Sequence, residues 1–230
     1  MKNQLSLHRL TLLALLSVMA LSAYSQNSRE YIRERIRYYG SCKNVAITKT
    51  GGDLMLYGDN GYAAKGCPTG LTNTLHELNE NGETIKDVQL TENGSWLVLY
   101  GGNAMTYYGV PASLERKMKE FNDEGYTITS VAFADDGDWI IISEEKISAS
   151  STDYTNWLSD GLEKYGALWA ACVTNEAIVA VFENGFKFRG NVPESLKEAL
   201  KETKLDVYRV KVAGSSWFFA DEDGDYQYNM

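Results

Sequence analysis

Apolar residues recur along the chain with the spacing of short amphipathic helices. In four stretches three apolar or aromatic residues follow at i, i+4 and i+7, which puts them on one face of a helix with polar residues around it. These are Ile32/Ile36/Tyr39, Leu71/Leu75/Leu78, Leu114/Met118/Phe121 and Leu158/Leu162/Tyr165. A fifth starts with Leu196 and Leu200 and has Thr203 at its third position. The first positions are 39, 43, 44 and 38 residues apart, and this spacing predicts a repeat of about 41 residues.

Each predicted helix is followed by three segments with the character of strands. The first segment has an apolar position that recurs three residues later, as at Ile85 and Val88. The second is an unbroken apolar run, typical of a strand buried on both faces. The runs are 54–57, 96–100, 139–142, 178–182 and 217–220. The third segment follows a turn that is rich in Gly, Asn and Asp in most units, and alternates in polarity.

Three prolines mark boundaries between the units. Pro68, Pro111 and Pro193 each stand three residues before the first apolar residue of a predicted helix, and proline is tolerated near a helix start but not inside a helix. The sequence therefore predicts an α+β repeat fold in one domain, 26–230. Its five αβββ units span about 29–68, 69–111, 112–152, 153–193 and 194–230.

Units of this size bury their apolar faces against neighbours, either in an open array or in a closed ring. Both end units keep the buried pattern, with Ile32 and Leu54 at one end and Trp217 at the other, which favours a closed ring with the apolar runs as inner strands. Starting from the apolar run, the order is strand, strand, helix, strand. Five such units resemble the pentein architecture, an α/β-propeller of pseudo-fivefold symmetry.

The resemblance to penteins covers element order and repeat number, but no catalytic motif. Catalytic penteins use a Cys nucleophile with His and acidic partners near the ring axis. Here Cys172 is in an apolar strand and His76 is on a helix, so no position matches, and the resemblance implies a non-catalytic ring. The G-x-W sequences at 94–96 and 137–139 also resemble uncharacterised bacterial secreted repeat proteins, without implying a function.

Residues 1–25 have the pattern of a secretory signal peptide. Lys2 and Arg9 form its basic region, 11–20 its apolar core, and 23–25 a small-x-small cleavage site. The apolar run is shorter than the roughly 20 residues that cross a bilayer, so we expect a secreted protein, periplasmic or extracellular, with no membrane anchor. Losing Lys2 and Arg9 changes the formal charge from −9 to −11, which disfavours nucleic acid as a partner.

Without the predicted signal peptide, the histidine and cysteine residues do not form a recognisable catalytic pair. His76 becomes the only histidine, and at helical spacing only the hydroxyl of Thr72 is a potential nucleophile. In an exported chain Cys42, Cys67 and Cys172 allow at most one disulfide. We favour three buried thiols, and a bridge between Cys42 and Cys67 stays open as the alternative.

Two further patterns are better explained by structure than by ligand binding. The acidic segment 221–225 lacks the spacing of a calcium loop, so it predicts a turn. Three tryptophans stand at one position of the apolar run, where units one and four have Leu54 and Ile178, so we expect core residues rather than a sugar-stacking surface. They are Trp96, Trp139 and Trp217. We expect no catalytic residue, no cofactor and no metal.

Carboxylates leave one enzymatic alternative. Asp135, Asp136, Asp138, Glu144 and Glu145 supply the residue type that glycoside hydrolysis uses in pairs. These residues lie in predicted turns of an acidic chain, where solvated charge is the ordinary interpretation. A carboxylate-based hydrolase acting at the ring axis is therefore the alternative function.

The third strand of each unit has one face that differs from unit to unit and is mostly polar. On this face Lys65, Tyr108, Lys187 and Arg189 depart from the acidic composition of the chain, and we predict that they contact a ligand. Repetition provides a rigid frame on which such side chains vary. The sequence thus predicts a secreted, non-catalytic recognition module for an extracellular glycan or protein.

Overall fold

Helices and strands alternate as the repeat predicts. The computed structural model describes residues 26–230, and the predicted signal peptide at 1–25 lies outside the described residues. The helices are α1 (26–39), α2 (Thr69–Glu80), α3 (Ala112–Asp123), α4 (Thr152–Tyr165) and α5 (Glu194–Glu202). Within 26–230 no helix is long and apolar enough to cross a membrane.

The strands form five separate antiparallel sheets of three, each in chain order. The first sheet holds β1 (Asn44–Ile47), β2 (Asp53–Tyr57) and β3 (Gly61–Lys65), and the second β4 (Ile85–Leu90), β5 (Trp96–Tyr100) and β6 (Ala104–Tyr108). The third holds β7 (Ile128–Phe133), β8 (Trp139–Ser143) and β9 (Ile147–Ala149), and the fourth β10 (Leu168–Val173), β11 (Ala177–Phe182) and β12 (Gly185–Gly190). The fifth holds β13 (Arg209–Ala213), β14 (Ser216–Ala220) and β15 (Tyr226–Asn229). Five αβββ units are confirmed.

The helix starts follow from the residues before them. Pro68, Pro111 and Pro193 are the N-cap residues of α2, α3 and α5, each with φ between −54° and −55°. The fourth unit has no such proline. Instead the hydroxyl of Ser151 caps α4 by accepting a hydrogen bond from the backbone N–H of Tyr154, the usual role of serine at this position.

Each helix packs between the sheets of two successive units. Leu71 and Leu75 of α2, for example, share one apolar cluster with Leu54 of the first sheet and Trp96 of the second. The helices α3, α4 and α5 have corresponding clusters. The predicted stripes are thus largely buried, but Tyr39 is an exception. It is 38% exposed and stacks on Tyr57 instead of entering the core.

The last unit contacts the first unit in the way that the first contacts the second. Ile32 and Ile36 of α1 share a cluster with Phe218 of the fifth sheet. The backbone N–H of Cys42 donates to the carbonyl of Gly224 at 2.9 Å, and that of Ile85 donates to the carbonyl of Asp59 at 2.8 Å. A backbone contact between units one and two therefore recurs between units five and one.

The five first strands β1, β4, β7, β10 and β13 lie next to one another. Each contacts the first strands of two other units, and β13 contacts β1 as well as β10. The apolar runs occupy the middle of each sheet, so the prediction that they are the innermost strands is wrong. A middle strand is covered on both faces by apolar clusters, which explains its unbroken apolar sequence, whereas the first strands face each other and carry polar residues.

The three tryptophans are buried, as predicted, but their counterpart in unit one differs from the prediction. Strand register aligns Trp96 with Asp53, since Trp96 pairs with Tyr108 and Asp53 with Lys65. Leu54 therefore lies one position further on. Asp53 is fully buried, and its carboxylate accepts hydrogen bonds from Ser28 Oγ at 2.9 Å and Arg29 Nε at 3.1 Å.

Candidate functional site

A buried polar cluster lies between the first strands. Each first strand has one apolar position that recurs in all units, namely Val45, Val88, Val131, Ala171 and Val210. The residues directly before it are Asn44, Asp87, Ser130, Ala170 and Arg209. The fully buried Asp87 carboxylate accepts hydrogen bonds from Asn44 Nδ2 at 2.6 Å and Ser130 Oγ at 3.0 Å. The guanidinium of Arg209 approaches it to 3.9 Å and donates to the carbonyls of Lys86 and Thr129. Side chains of four units thus meet at one place.

Lys211 and Gln89 complete the polar cluster. They stand two residues after Arg209 and Asp87 on the same strands. Lys211 Nζ lies 3.4 Å from Asp87 Oδ1 and donates to the carbonyl of Val88 at 3.2 Å. Gln89 Nε2 donates to both oxygens of Asp87. The corresponding residues of units one and three are Ala46 and Ala132. We define the polar cluster as Asn44, Asp87, Gln89, Ser130, Arg209 and Lys211.

The polar cluster combines one carboxylate, Asp87, with two basic side chains, Lys211 and Arg209. Burial by itself would raise the pKa of Asp87, but Lys211 and Arg209, with hydrogen bonds from Ser130 and Asn44, hold this pKa below its ordinary value. Burial lowers the pKa of Lys211, and the attraction of Asp87 does not restore it. The physical reason is that a single carboxylate is shared between two cations, and a buried charge is stable only when paired.

A cavity that we call the Trp169 cavity lies at the N-terminal ends of the five first strands, next to the polar cluster. It has a volume of about 530 Å³. Its wall includes one equivalent residue from each of the five units, directly before the position of Asp87. These residues are Lys43, Lys86, Thr129, Trp169 and Tyr208. The rings of Trp169 and Tyr208 stack with their centroids 5.6 Å apart. Repeat-equivalent positions therefore bring two lysines, a threonine and an aromatic pair to one space. Lys86 Nζ donates to the carbonyl of Gly102 at 2.6 Å, and Thr129 Oγ1 donates to that of Ile142 at 3.2 Å.

The Lys211 cavity lies on the other side of the polar cluster and is smaller, about 110 Å³. Gln89, Thr91, Cys172 and Lys211 line it, and each of these residues is less than 9% exposed. Burial raises the pKa of the Cys172 thiol, so the thiol is protonated at neutral pH and is a poor nucleophile. Among the described residues, Thr91 Oγ1 is a buried oxygen with no hydrogen-bond partner.

A belt of loop contacts surrounds the mouth of the Lys211 cavity. Glu92 accepts a hydrogen bond from the backbone N–H of Lys49, Asp135 accepts one from that of Asn93, and Asn175 accepts one from that of Asp135. These contacts join units one to four in sequence. Lys49 Nζ and Glu176 Oε1 then lie 2.7 Å apart and connect unit one with unit four.

The structure places the four predicted ligand residues on third strands, away from both cavities. Lys65 donates to Asn27 Oδ1 and lies over the ring of Tyr31. Lys187 lies over the ring of Trp157, and Arg189 over that of Tyr154 with an ion pair to Asp153. Each of these cations packs on the helix of its own unit. Tyr108 is 67% exposed.

These four residues are distributed over three units. Lys65 belongs to unit one, Tyr108 to unit two, and only Lys187 and Arg189 share a strand. Sequence reasoning did not predict the polar cluster or the Trp169 cavity, because its evidence for the first strands was their apolar positions alone. The signal that it passed over is the series of Lys, Thr, Trp and Tyr at one repeat position, and the charges at Asp87 and Lys211 inside strands.

His76, Cys42 and Cys67 lie outside these cavities, whereas Asp135 and Cys172 line the Lys211 cavity, and Glu144, Asp221 and Glu222 line the Trp169 cavity. His76 is on the exposed face of α2, with Nε2 3.4 Å from Glu80. The segment 221–225 forms the turn before β15, where Asp221 Oδ1 accepts hydrogen bonds from the backbone N–H groups of Gly224 and Asp225. Cys42, Cys67 and Cys172 are free thiols. Cys42 packs in the cluster between the fifth and first sheets, and Cys67 against the cluster between the first and second.

No protein-family model matches the chain, and no curated protein matches it.

Proposed function

We propose that the protein is a secreted, non-catalytic recognition module, built as a closed pentein-like ring, that binds a glycan in the Trp169 cavity. The observation that carries the proposal is the convergence of five repeat-equivalent residues on that one cavity. In a repeat protein, positions that face one space and differ in every or nearly every unit are suited to specific recognition, because the frame around them is held by the repeat.

Closure of the ring is supported by the contacts of unit five with unit one. The hydrogen bond from Cys42 to Gly224 repeats the bond from Ile85 to Asp59, and β13 packs against β1 as other first strands pack against their neighbours. In a closed ring the first strands surround the axis. The Trp169 cavity and the Lys211 cavity then open at its two ends.

A glycan suits the cavity better than a protein surface does. A volume of about 530 Å³ lies within the roughly 300 to 1,000 Å³ of small-ligand sites, whereas a stable protein interface needs about 800 Å² on each partner. The stacked rings of Trp169 and Tyr208 offer an apolar face to a sugar ring. Thr129 Oγ1 donates to the carbonyl of Ile142 and can still accept a hydrogen bond from a sugar hydroxyl. The ammonium groups of Lys43 and Lys86 have further N–H donors besides their contacts with Asp59 and Gly102.

The alternative hydrolase at the ring axis receives less support. A glycosidase general acid needs a raised pKa and a second carboxyl group roughly 5 to 9.5 Å away. Asp87 is the carboxylate of the polar cluster, and its pKa is lowered. Glu144 and Glu222, which line the Trp169 cavity, are exposed to water, whereas a glycosidase general acid lies in apolar surroundings.

A glycan array read with three proteins tests the proposal. Wild type is compared with Trp169→Ala/Tyr208→Ala, which removes the aromatic wall, and with Tyr108→Ala/Arg189→Ala, which changes the third-strand face. We expect the first double variant to lose at least about tenfold in affinity for each glycan that the wild type binds, and the second to bind normally. The opposite pattern would assign recognition to the third strands. A pull-down from extracellular fluid that recovers a protein, with no glycan bound on the array, would contradict the glycan proposal.

A further inference from the structure

The Lys211 cavity has no role in the proposed glycan site, from which the polar cluster separates it. Lys211 Nζ has two acceptors among the described residues, Asp87 Oδ1 and the carbonyl of Val88. An ammonium group has three N–H donors. The third donor is therefore free for a ligand in the cavity that Lys211 lines.

Thr91 departs from its repeat equivalents at the same cavity. Thr48 and Thr174 occupy the same position in units one and four, and both hydroxyls bond to the backbone of the following turn. Thr91 also lines the Lys211 cavity and is 8% exposed, yet its Oγ1 has no partner. A buried hydroxyl without a partner is unfavourable, and a ligand oxygen in the cavity would satisfy it.

The charges around the cavity favour an anion with a single negative charge. Lys211 and Arg209 share Asp87, and burial lowers the pKa of Lys211, so a negative charge beside Lys211 would favour its charged form. Cys172 adds no charge, because burial raises the pKa of its thiol. At the mouth the carboxylates of Glu92, Asp135 and Glu176 outnumber the single ammonium of Lys49. A single negative charge would pair with Lys211, and the carboxylates at the mouth repel a dianion about twice as strongly as a monoanion.

The size of the cavity restricts the ligand further. A water molecule occupies about 30 Å³ of liquid, so a cavity of about 110 Å³ holds three or four groups of that size. Acetate has four heavy atoms. We propose that the Lys211 cavity binds a small monocarboxylate, with the carboxylate oxygens between the Lys211 ammonium and the Thr91 hydroxyl.

Saturation-transfer NMR on the methyl signal of acetate, at constant ionic strength and pH 7, tests this site. We expect wild type to bind acetate and to bind sulfate more weakly. Thr91→Val keeps the shape of the side chain and removes only a hydroxyl without a partner. It should keep or slightly raise the stability of the free protein and weaken acetate binding about tenfold, the effect of one hydrogen bond to a charged group.

Two further variants make the test specific. Thr129→Val removes a hydroxyl from the Trp169 cavity instead, and should bind acetate like wild type. Lys211→Met should abolish acetate binding, and its circular dichroism spectrum shows whether it folds. The proposal is overturned if wild type does not bind acetate, if Thr91→Val binds it as well as wild type, or if sulfate binds more tightly than acetate.

Discussion

Lys49 of unit one and Glu176 of unit four form an ion pair whose N–O distance is 2.7 Å, although unit five lies between these two units along the row of first strands. Unit five has Gly214 at the position equivalent to Lys49. A Cβ on Gly214 would lie 3.6 Å from Lys49 Cε, and the residue has φ of +61°, which favours glycine. Glycine at this position is thus explained by its backbone conformation, and the turn of unit five lies beside the Lys49 side chain.

This ion pair should contribute little to stability despite its short distance. Both side chains are about half exposed, at 46% and 54%, and such pairs typically contribute less than about 1 kcal/mol. A double-mutant cycle of Lys49→Ala and Glu176→Ala, measured by urea unfolding, should give a coupling energy below this value that declines at high salt. A larger, salt-insensitive coupling would mean that the pair is shielded from water.

The Asp87 carboxylate should be the most sensitive charge in the molecule. Asp87→Asn leaves Lys211 and Arg209 buried without a counter-charge, which we expect to cost about 3 to 5 kcal/mol in the free energy of unfolding. Lys211→Met leaves Asp87 paired with Arg209 and should cost less. Urea unfolding measures both, with Asp223→Asn at an exposed turn as the matched control. Equal losses from Asp87→Asn and Asp223→Asn would contradict the description of the polar cluster.

Acid should destabilise the protein partly through the same residue. The folded-state pKa of Asp87 lies below its unfolded value. Its contribution to stability is therefore complete above the unfolded pKa, about 4, and is lost as the pH falls through the folded pKa. Unfolding free energies from neutral pH down to about pH 2 should fall more steeply for wild type than for Asp87→Asn. Parallel curves would show that Asp87 does not titrate differently on folding.

The tryptophan position of the middle strands allows a direct test of the core. Trp139 is 4% exposed, and its Nε1 donates to Ser113 Oγ at 3.0 Å. Trp139→Asp buries a carboxylate without a partner, so we expect the loss of several kcal/mol and of cooperative thermal unfolding. Trp139→Phe, which loses mainly the hydrogen bond, should stay folded. A cooperative transition at the wild-type temperature in Trp139→Asp would refute the assignment of this strand to the core.

Unit one accepts an aspartate at this position because Arg29 accompanies it. Arg29 Nε lies 3.1 Å from Asp53 Oδ2, and Nη2 donates to the carbonyl of Thr48 at 2.8 Å. Arg29→Met should therefore cost about 3 to 5 kcal/mol, since it leaves the buried Asp53 without its cation. The double variant Arg29→Met/Asp53→Asn should recover part of that loss in urea unfolding. No recovery would show that Arg29 acts through its contact with Thr48 alone.

The sequence was sufficient to predict the five αβββ units and insufficient to predict the candidate site. Helix stripes such as Leu71/Leu75/Leu78 and the prolines before α2, α3 and α5 are local signals, and the elements that they predict are present. The polar cluster depends on which residues of different units face each other. Asp87 and Lys211 are 124 positions apart, and no local pattern links them.

The mistaken alignment of Leu54 with the tryptophans has a similar cause. Matching apolar residue to apolar residue is the natural choice in a sequence, yet strand register pairs Trp96 with Tyr108 and Asp53 with Lys65. The substitution of a buried ion pair for an indole could be recognised only once Arg29 of α1 was seen beside Asp53.

The position near the start of the middle strand that holds a tryptophan in three units and Asp53 in unit one contacts the helix of the same unit. This contact decides which segments of the chain can be exchanged. Trp217 Nε1 donates to Ser195 Oγ at 3.0 Å, as Trp139 does to Ser113, and both serines are the second residue of their helix. Segments carrying α3 and α5 therefore share a matching connection and are suited to exchange in a chimera. A segment carrying α1 is not, because Arg29 would meet an indole and Asp53 would meet a serine. The contact between Arg29 and Asp53 thus restricts the exchange of segments, and α1 has to be transferred together with the sheet of unit one.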